Sequence, residues 1–294
     1  MSRPKFTIVL PTTGNRGPLL PYSIGSIQNQ TIQDFEIFII GDGISEETRE
    51  LIGEMIDKDS RIRLFDHPKH ERRGEPYRHK ALQEASSDFV CYLCDRDMML
   101  PDHLETMAGL LEDSNFASTT FISVTPDQKL NLDQYIQYYG HASKSNEKAV
   151  KRATISLSNV AHTLDFYHKL PYGWRTTPSK YRTDVYMWQQ FMAHPDSKAY
   201  SHPQPTILYF KRGLLFGTPV SEVATELAKW YDRIKEEKEI KQMKAEAFNY
   251  LITERRSQSL LSGKLDSTIL IRGYTPTELI SRVLQKAANL LKML

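Results

Sequence analysis

The chain reads as an α/β protein: a mostly parallel sheet flanked by helices, with a helical extension at the C-terminal end. Three features predict this. Short apolar runs (FTIVL, FEIFII, IRLF, FVCYLC) alternate with stretches whose apolar residues recur at helical spacing, and strand–helix alternation builds a parallel sheet covered on both faces. The runs are nearly continuous, as strands buried on two sides should be. Beyond residue 220 the strand signal stops and helical periodicity takes over.

Residues 6–10 form the first strand, stopped by Pro11, and PTTGNRGP is a loop by its Pro and Gly content. Leu20, Ile24 and Ile27 mark a helix. Phe35 to Ile40 is the second strand, broken by Gly41-Asp42-Gly43. Ser45 can cap a helix whose first turn carries Glu46 and Glu47, favourable at the positive end of the dipole. Ile62 to Phe65 is the third strand, and a basic loop runs from His67 to Arg73. Tyr77, Ala81, Leu82 and Ala85 mark another helix, and Phe89 to Cys94 is the fourth strand. Pro101 opens a helix with Leu104, Met107 and Leu111 inward, and Phe116 to Val124 is a further strand. These units resemble a Rossmann-like nucleotide-binding half. The G-x-G-x-x-G fingerprint is missing after the first strand, which argues against NAD or FAD.

Residues 125–180 read as polar and irregular. A helical zone over about 221–260 carries Val223, Leu227, Tyr231 and Ile234, and its KEEKEIKQMKAE run is a solvated face. Thr275, Pro276 and Glu278 make a capping box with Pro at the first helical position. The helix that follows sets Leu279, Ile280, Val283, Leu284, Ala287, Leu290, Leu291 and Leu294 against Arg282, Lys286 and Lys292. Such a face fits the core, a partner subunit or an anionic membrane surface.

With 294 residues, 40% of them hydrophobic, the chain can bury a large core, and a formal charge of +2 excludes a strongly polyanion-seeking protein. No nucleic-acid partner is expected. The opening MSRPKFTIVLP lacks a signal-peptide layout, and no stretch approaches the ~20 apolar residues of a spanning helix. The expectation is a cytoplasmic protein, with attachment to the inner face of a membrane left open. Cys91 and Cys94 form a C-x-x-C, but residues three apart on a strand point to opposite faces and no second pair completes a zinc site. They read as core residues.

The chemistry concentrates in Asp95-Arg96-Asp97, directly after the fourth strand. Carboxylates there lie at the carboxyl edge of a sheet, where open α/β folds bind ligands. A hard divalent cation takes a couple of carboxylate oxygens and fills its shell with substrate phosphates, so the pair reads as a metal site for a nucleotide diphosphate. Asp57-Lys58-Asp59 has the same spacing but follows the amphipathic stretch Leu51, Ile52, Met55 and Ile56, so it reads as a helix end with solvated carboxylates.

Four stretches together resemble the family 2 glycosyltransferases with a GT-A fold, over about Phe6 to Met192: FTIVLPTTGNRG with SIGSIQNQTIQDFEIFIIGDGISEET, RRGEPYRHKALQEA, DFVCYLCDRDMMLPDHL and SKYRTDVYMWQQF. The resemblance implies a nucleobase near Thr12 and Asp42, a diphosphate near Arg78, Asp97 as main metal ligand, and Asp95 on the ribose or the metal. It implies Asp184 as catalytic base. Gly41, His79 and Thr183 depart from the family pattern. Each assignment has a structural counterpart: Asp42 in a turn, Arg78 exposed on its helix, Asp184 as an N-cap. Trp174 fits a sugar-stacking platform or the core, and His162 a ligand contact or a structural role.

The function so implied is an inverting, metal-dependent transferase. With Mn²⁺ or Mg²⁺ it moves a sugar from a nucleoside diphosphate, UDP favoured, to a hydroxyl of a glycan or lipid-linked glycan. Its domain spans 1–219, a nucleotide half to about 124 and an acceptor half beyond, and 220–294 is the helical extension. A non-catalytic nucleotide-sugar-binding module is the alternative. A sugar-nucleotide pyrophosphorylase is disfavoured because TTGNRGPLL lacks the other glycines of a phosphate-wrapping loop.

Overall fold

The computed structural model describes residues 3–132, 155–210, 217–271 and 273–292. Its packing defines two units, Met1–Ala247 and Phe248–Leu294.

The first unit is built on one sheet of order β3-β2-β1-β4-β8-β6-β9-β5, with β7 paired to β6. The strands are β1 (Phe6–Gly14), β2 (Phe35–Ile44), β3 (Ile62–His67), β4 (Phe89–Tyr92), β5 (Met98–Met99), β6 (Phe116–Val124), β7 (Leu130–Leu132), β8 (Val160–Thr163) and β9 (Ala199–Phe210). β1 pairs in parallel with β2 and β4, and β2 with β3. Beyond β4 the sheet is mixed: β8 runs antiparallel to both β4 and β6, while β6 and β9 are parallel. Parallel pairing therefore runs through β3, β2, β1 and β4 and returns between β6 and β9. The antiparallel joint, β8, falls in the stretch read as irregular, where a four-residue strand leaves little periodicity.

Both faces of the sheet are covered, as the continuous runs require. Ile8, Leu10, Ile37, Ile39 and Cys91 enter one apolar cluster, and Val9, Phe38, Ile40, Val90 and Tyr92 enter the other. The two cysteines follow the same rule: Cys91 lies in the first cluster and Cys94 packs against the second.

The helices of the first unit are α1 (Leu20–Gln28), α2 (Glu46–Lys58), α3 (Glu75–Glu84), α4 (His103–Asp113), α5 (Leu164–His168), α6 (Thr183–Ala193) and α7 (Val220–Arg233), followed by α8 (Glu237–Thr268), which runs into the second unit. Ser45 caps α2 as read, accepting the Thr48 N–H at 3.3 Å. Asp59, expected to be solvated, is instead the C-cap residue of α2 and bonds Arg61 and Gln28 at 2.8 Å. Val223, Leu227 and Ile234 are buried, and Asn29 donates to the Tyr231 hydroxyl at 3.3 Å. Gly25 on α1 is required there, because a Cβ would overlap that hydroxyl.

In the second unit the capping box forms: Thr275 N–H donates to Glu278 at 2.9 Å and Glu278 N–H to Thr275 at 3.2 Å. It opens α9 (Pro276–Lys292), whose Ile280, Val283 and Leu284 are 61%, 65% and 63% exposed. The side chains of Lys286, Ala287, Leu290, Leu291, Lys292 and Leu294 lie outside the described residues. No described helix is long and apolar enough to cross a membrane.

Candidate active site

The site residues gather at the carboxyl ends of β1, β2 and β4, beside β1, where the strand order reverses direction. Thr12 lies opposite Gly41 in the β1–β2 register, and its hydroxyl donates to Asp95 Oδ2 at 3.1 Å. Arg16, from the loop after β1, pairs with the same oxygen at 3.2 Å. Asp95 is thus tied to the β1 end by two partners.

Asp42 lies inside β2, not in a turn. Its carboxylate accepts from the His70 N–H at 2.6 Å and from the Lys69 ammonium. The basic loop between β3 and α3 therefore folds over the end of β2. Gly74, at φ +65°, starts α3 close against Asp42, where a Cβ would press on the carboxylate-bearing side chain.

Asp97 is 1% exposed. Its Oδ1 accepts the Phe210 N–H at 3.1 Å from the last residue of β9, and Oδ2 accepts the Ser158 hydroxyl. Burial pushes its carboxyl up to about 7 despite these donors, with Asp95 adding to the rise. Asp95 and Asp97, two residues apart and both buried, offer a hard-oxygen donor set. The pair fits a hard divalent ion on that ground. Among the described residues no third His, Cys, Asp or Glu completes an all-protein site, and substrate phosphates normally do so for Mg²⁺.

Arg78 is 4% exposed, not the solvated helix residue that its sequence context also allowed. Its guanidinium carbon lies 4.8 Å from the Trp174 ring centre, and Nη2 donates to the Arg73 carbonyl at 2.8 Å. Nε and Nη1 have no partner among the described residues. A buried fork with two idle donors is prepared for an anion.

Asp184 is the second residue of α6, half-buried; the N-cap is Arg182, which corrects the capping reading. Burial pushes its carboxyl up, against the pull of Arg78, Arg73 and Arg182. Burial raises the hydroxyl of Tyr209, near the end of β9, and Asp97, Cys94 and Asp184 raise it further, so it stays protonated.

Two residues are assigned to the core. Trp174 is 2% exposed and donates its Nε1–H to the Tyr92 hydroxyl at 3.0 Å, so it cannot stack on a sugar. His162 is fully buried; Nε2 meets the Tyr92 hydroxyl at 2.8 Å and Nδ1 the Thr163 carbonyl at 2.9 Å. Burial pulls its pKa down to about 3, so it is a neutral structural histidine.

Sequence reasoning missed Arg16, Lys69, His70, Ser158, Phe210, Glu75 and Tyr209. The basic loop shows its charge in the sequence but not its target, and ILYF before residue 211 carries a strand signal. Ser158 carries no signal.

Residues 7–200 match the family model described as Glycosyl transferase family 2. A GalNAc(5)-diNAcBac-PP-undecaprenol beta-1,3-glucosyltransferase of Campylobacter jejuni is 34% identical over 104 residues, 35% of this chain and 33% of that protein. An uncharacterized glycosyltransferase of Haemophilus influenzae is 29% identical over 119 residues, 40% and 47% of the two chains. The matches therefore span less than half the length of these curated relatives. Among solved structures, S. aureus TarS 1-349 in complex with UDP-GlcNAc aligns with a TM-score of 0.57 at 16% identity, over 83% of this chain and 72% of that one. Mannosyltransferase PcManGT from Pyrobaculum calidifontis, in complex with GDP-Man and Mn²⁺, aligns with a TM-score of 0.51 at 15% identity, over 99% and 81%. These structures share the fold.

Proposed function

The chain belongs to glycosyl transferase family 2 and has the GT-A fold, and on that premise we propose that it is an inverting, metal-dependent glycosyltransferase. The donor is a nucleoside-diphosphate sugar, UDP-linked, and the acceptor is a hydroxyl of a glycan or lipid-linked glycan. The observation that carries this reading is the buried Arg78 fork with two idle nitrogens, together with the buried carboxylates Asp95 and Asp97 that follow β4.

Each residue has a task. Asp42 and Thr12 orient the nucleobase end of the donor. Arg78 holds the diphosphate. Asp97 and Asp95 would hold Mn²⁺ or Mg²⁺, which supplies charge neutralisation for the departing nucleoside diphosphate. Asp184, on another wall, takes the proton from the acceptor hydroxyl as it attacks the anomeric carbon opposite the leaving group. Its raised pKa brings it closer to the range in which a general base works well. Residues 1–124 then form the donor half, 125–219 the acceptor half and 220–294 the extension. TarS, in complex with UDP-GlcNAc, supports the uridine preference, and the lipid-linked substrate in the Campylobacter protein's name supports a membrane-borne acceptor. The exposed apolar face of α9 supports peripheral attachment to the cytoplasmic membrane face.

Calorimetric titration of UDP and GDP with Mn²⁺, Mg²⁺ or EDTA tests this. Metal-dependent UDP binding that Asp97→Ala abolishes is expected. Binding of neither nucleotide in any metal would overturn the reading, and GDP binding alone would overturn the base assignment at Asp42.

A further inference from the structure

Glu75 is a buried carboxylate without a task in that mechanism. It is the first residue of α3 and is 0% exposed. Its Oε2 accepts the Arg73 N–H at 3.0 Å and lies 3.7 Å from His70 Nδ1. Its Oε1 accepts the Thr183 hydroxyl at 3.4 Å, across 108 residues of chain. Burial pushes its pKa up, but its own N–H and that of Arg73 outweigh this, with Arg78 helping, and the net shift is downward. Glu75 is therefore ionised while out of water.

Taking such a charge out of water costs desolvation free energy, and apolar replacement of a whole buried ion pair is often neutral or stabilising. Its position is informative. Glu75 joins the first turns of two helices. One is α3, which carries Arg78 one turn further on. The other is α6, where Thr183 directly precedes Asp184. Arg182, at the α6 N-cap, makes no side-chain capping bond, and the Thr183–Glu75 contact links this turn to α3.

We propose that Glu75 is a positioning residue: a clamp from α3 to α6 that fixes the Asp184 carboxylate relative to the Arg78 guanidinium. The proposal rests on Asp184 being the base and Arg78 the diphosphate contact. The consequence is geometric. A base displaced by about 1 Å from its proton loses on the order of 10² in rate, with little change in donor binding.

The test compares Glu75→Met, Thr183→Val and the exchanged pair Glu75→Thr with Thr183→Glu, which returns a carboxylate from the other side of the same contact. Turnover and KM are measured with UDP-sugars, and amide hydrogen exchange is followed over residues 181–187. Both single variants are expected to lose roughly 10²-fold in kcat at unchanged donor KM. Both should exchange faster at 183–186 and nowhere else in the first unit, and the exchanged pair should recover most of both losses. Wild-type exchange at 183–186 in Glu75→Met would overturn the clamp. So would faster exchange throughout Met1–Ala247, or an exchanged pair no better than the single variants. If the wild type turns over no nucleotide sugar, the transferase reading fails separately. The exchange data then decide the clamp alone: local loss in both single variants supports it, and no loss refutes it.

Discussion

The Arg78 guanidinium lies over the Trp174 ring at 4.8 Å while its Nε and Nη1 meet nothing among the described residues. A cation stacked on an indole and hydrogen-bonded on one side only is held in place for a ligand on the other.

The first prediction follows from that pairing. Arg78→Lys keeps the charge but loses the fork, and each charge-assisted hydrogen bond is worth roughly 1.5–3 kcal/mol. UDP affinity in Mn²⁺ should fall by about tenfold to 10²-fold in calorimetry. An unchanged Kd would remove Arg78 from the diphosphate site.

Asp97 predicts a pH dependence of stability. Its folded pKa, about 7, lies above the ordinary 3.8. The folded state therefore binds the extra proton between these values, and stability without metal should fall as pH rises from about 4 to about 7. Asp97→Asn removes this loss. At pH 8 its Tm should exceed that of metal-free wild type by several degrees, since each pKa unit is about 1.4 kcal/mol. Mn²⁺ with UDP should raise the wild-type Tm and leave the variant unmoved. A lower Tm for the variant at pH 8 would contradict the account.

For Asp184, the substitution Asp184→Asn should lower kcat by about 10²–10⁴ while UDP binding persists. The acidic limb of the wild-type kcat profile should lie above the ordinary carboxylate range, because burial raises this group. Retention of more than a tenth of wild-type kcat would assign the base elsewhere.

At Asp42, both carboxylate oxygens are already engaged, one by Lys69 and one by the His70 N–H. A nucleobase N–H must use a remaining lone pair. Asp42→Ala should weaken UDP about tenfold and leave inorganic pyrophosphate binding unchanged. Equal losses for both would mean that the loop, not the base contact, had been removed.

The final helix predicts membrane behaviour. Residues 248–294 carry seven Lys and Arg against three Asp and Glu, beside the exposed Ile280, Val283 and Leu284. In flotation assays the protein should bind vesicles containing phosphatidylglycerol and not pure phosphatidylcholine, with binding weakened by salt. Ile280→Asp with Leu284→Asp should abolish it. Salt-independent dimerisation that those changes remove would assign the face to a second copy instead.

The nucleotide half was legible because its strands are buried on both sides and must be written as apolar runs. β1, β2 and β4 are visible for that reason, and Asp95 and Asp97 gained their meaning from following β4. The far half was illegible for the opposite reason. β5 has two residues, β8 four, and β9 is interrupted by Pro203 and Pro205. The partners that tune the site arrive by long-range contact, as Ser158 and Phe210 do at Asp97. No local spacing announces a backbone N–H delivered from 113 residues away. Trp174 and His162 show the converse: polar aromatics in a polar stretch proved to be core, bonded to each other's neighbour Tyr92.

The bond from Phe210 to Asp97 also sets a timetable. The strands β1 to β4 are complete by Tyr92, whereas β9 ends at Phe210. Asp97 receives its backbone donor only when β9 has left the ribosome and paired with β6. Asp97 and the N–H that holds it are made 113 residues apart, so a chain cut short between β4 and β9 carries the first four strands without that donor.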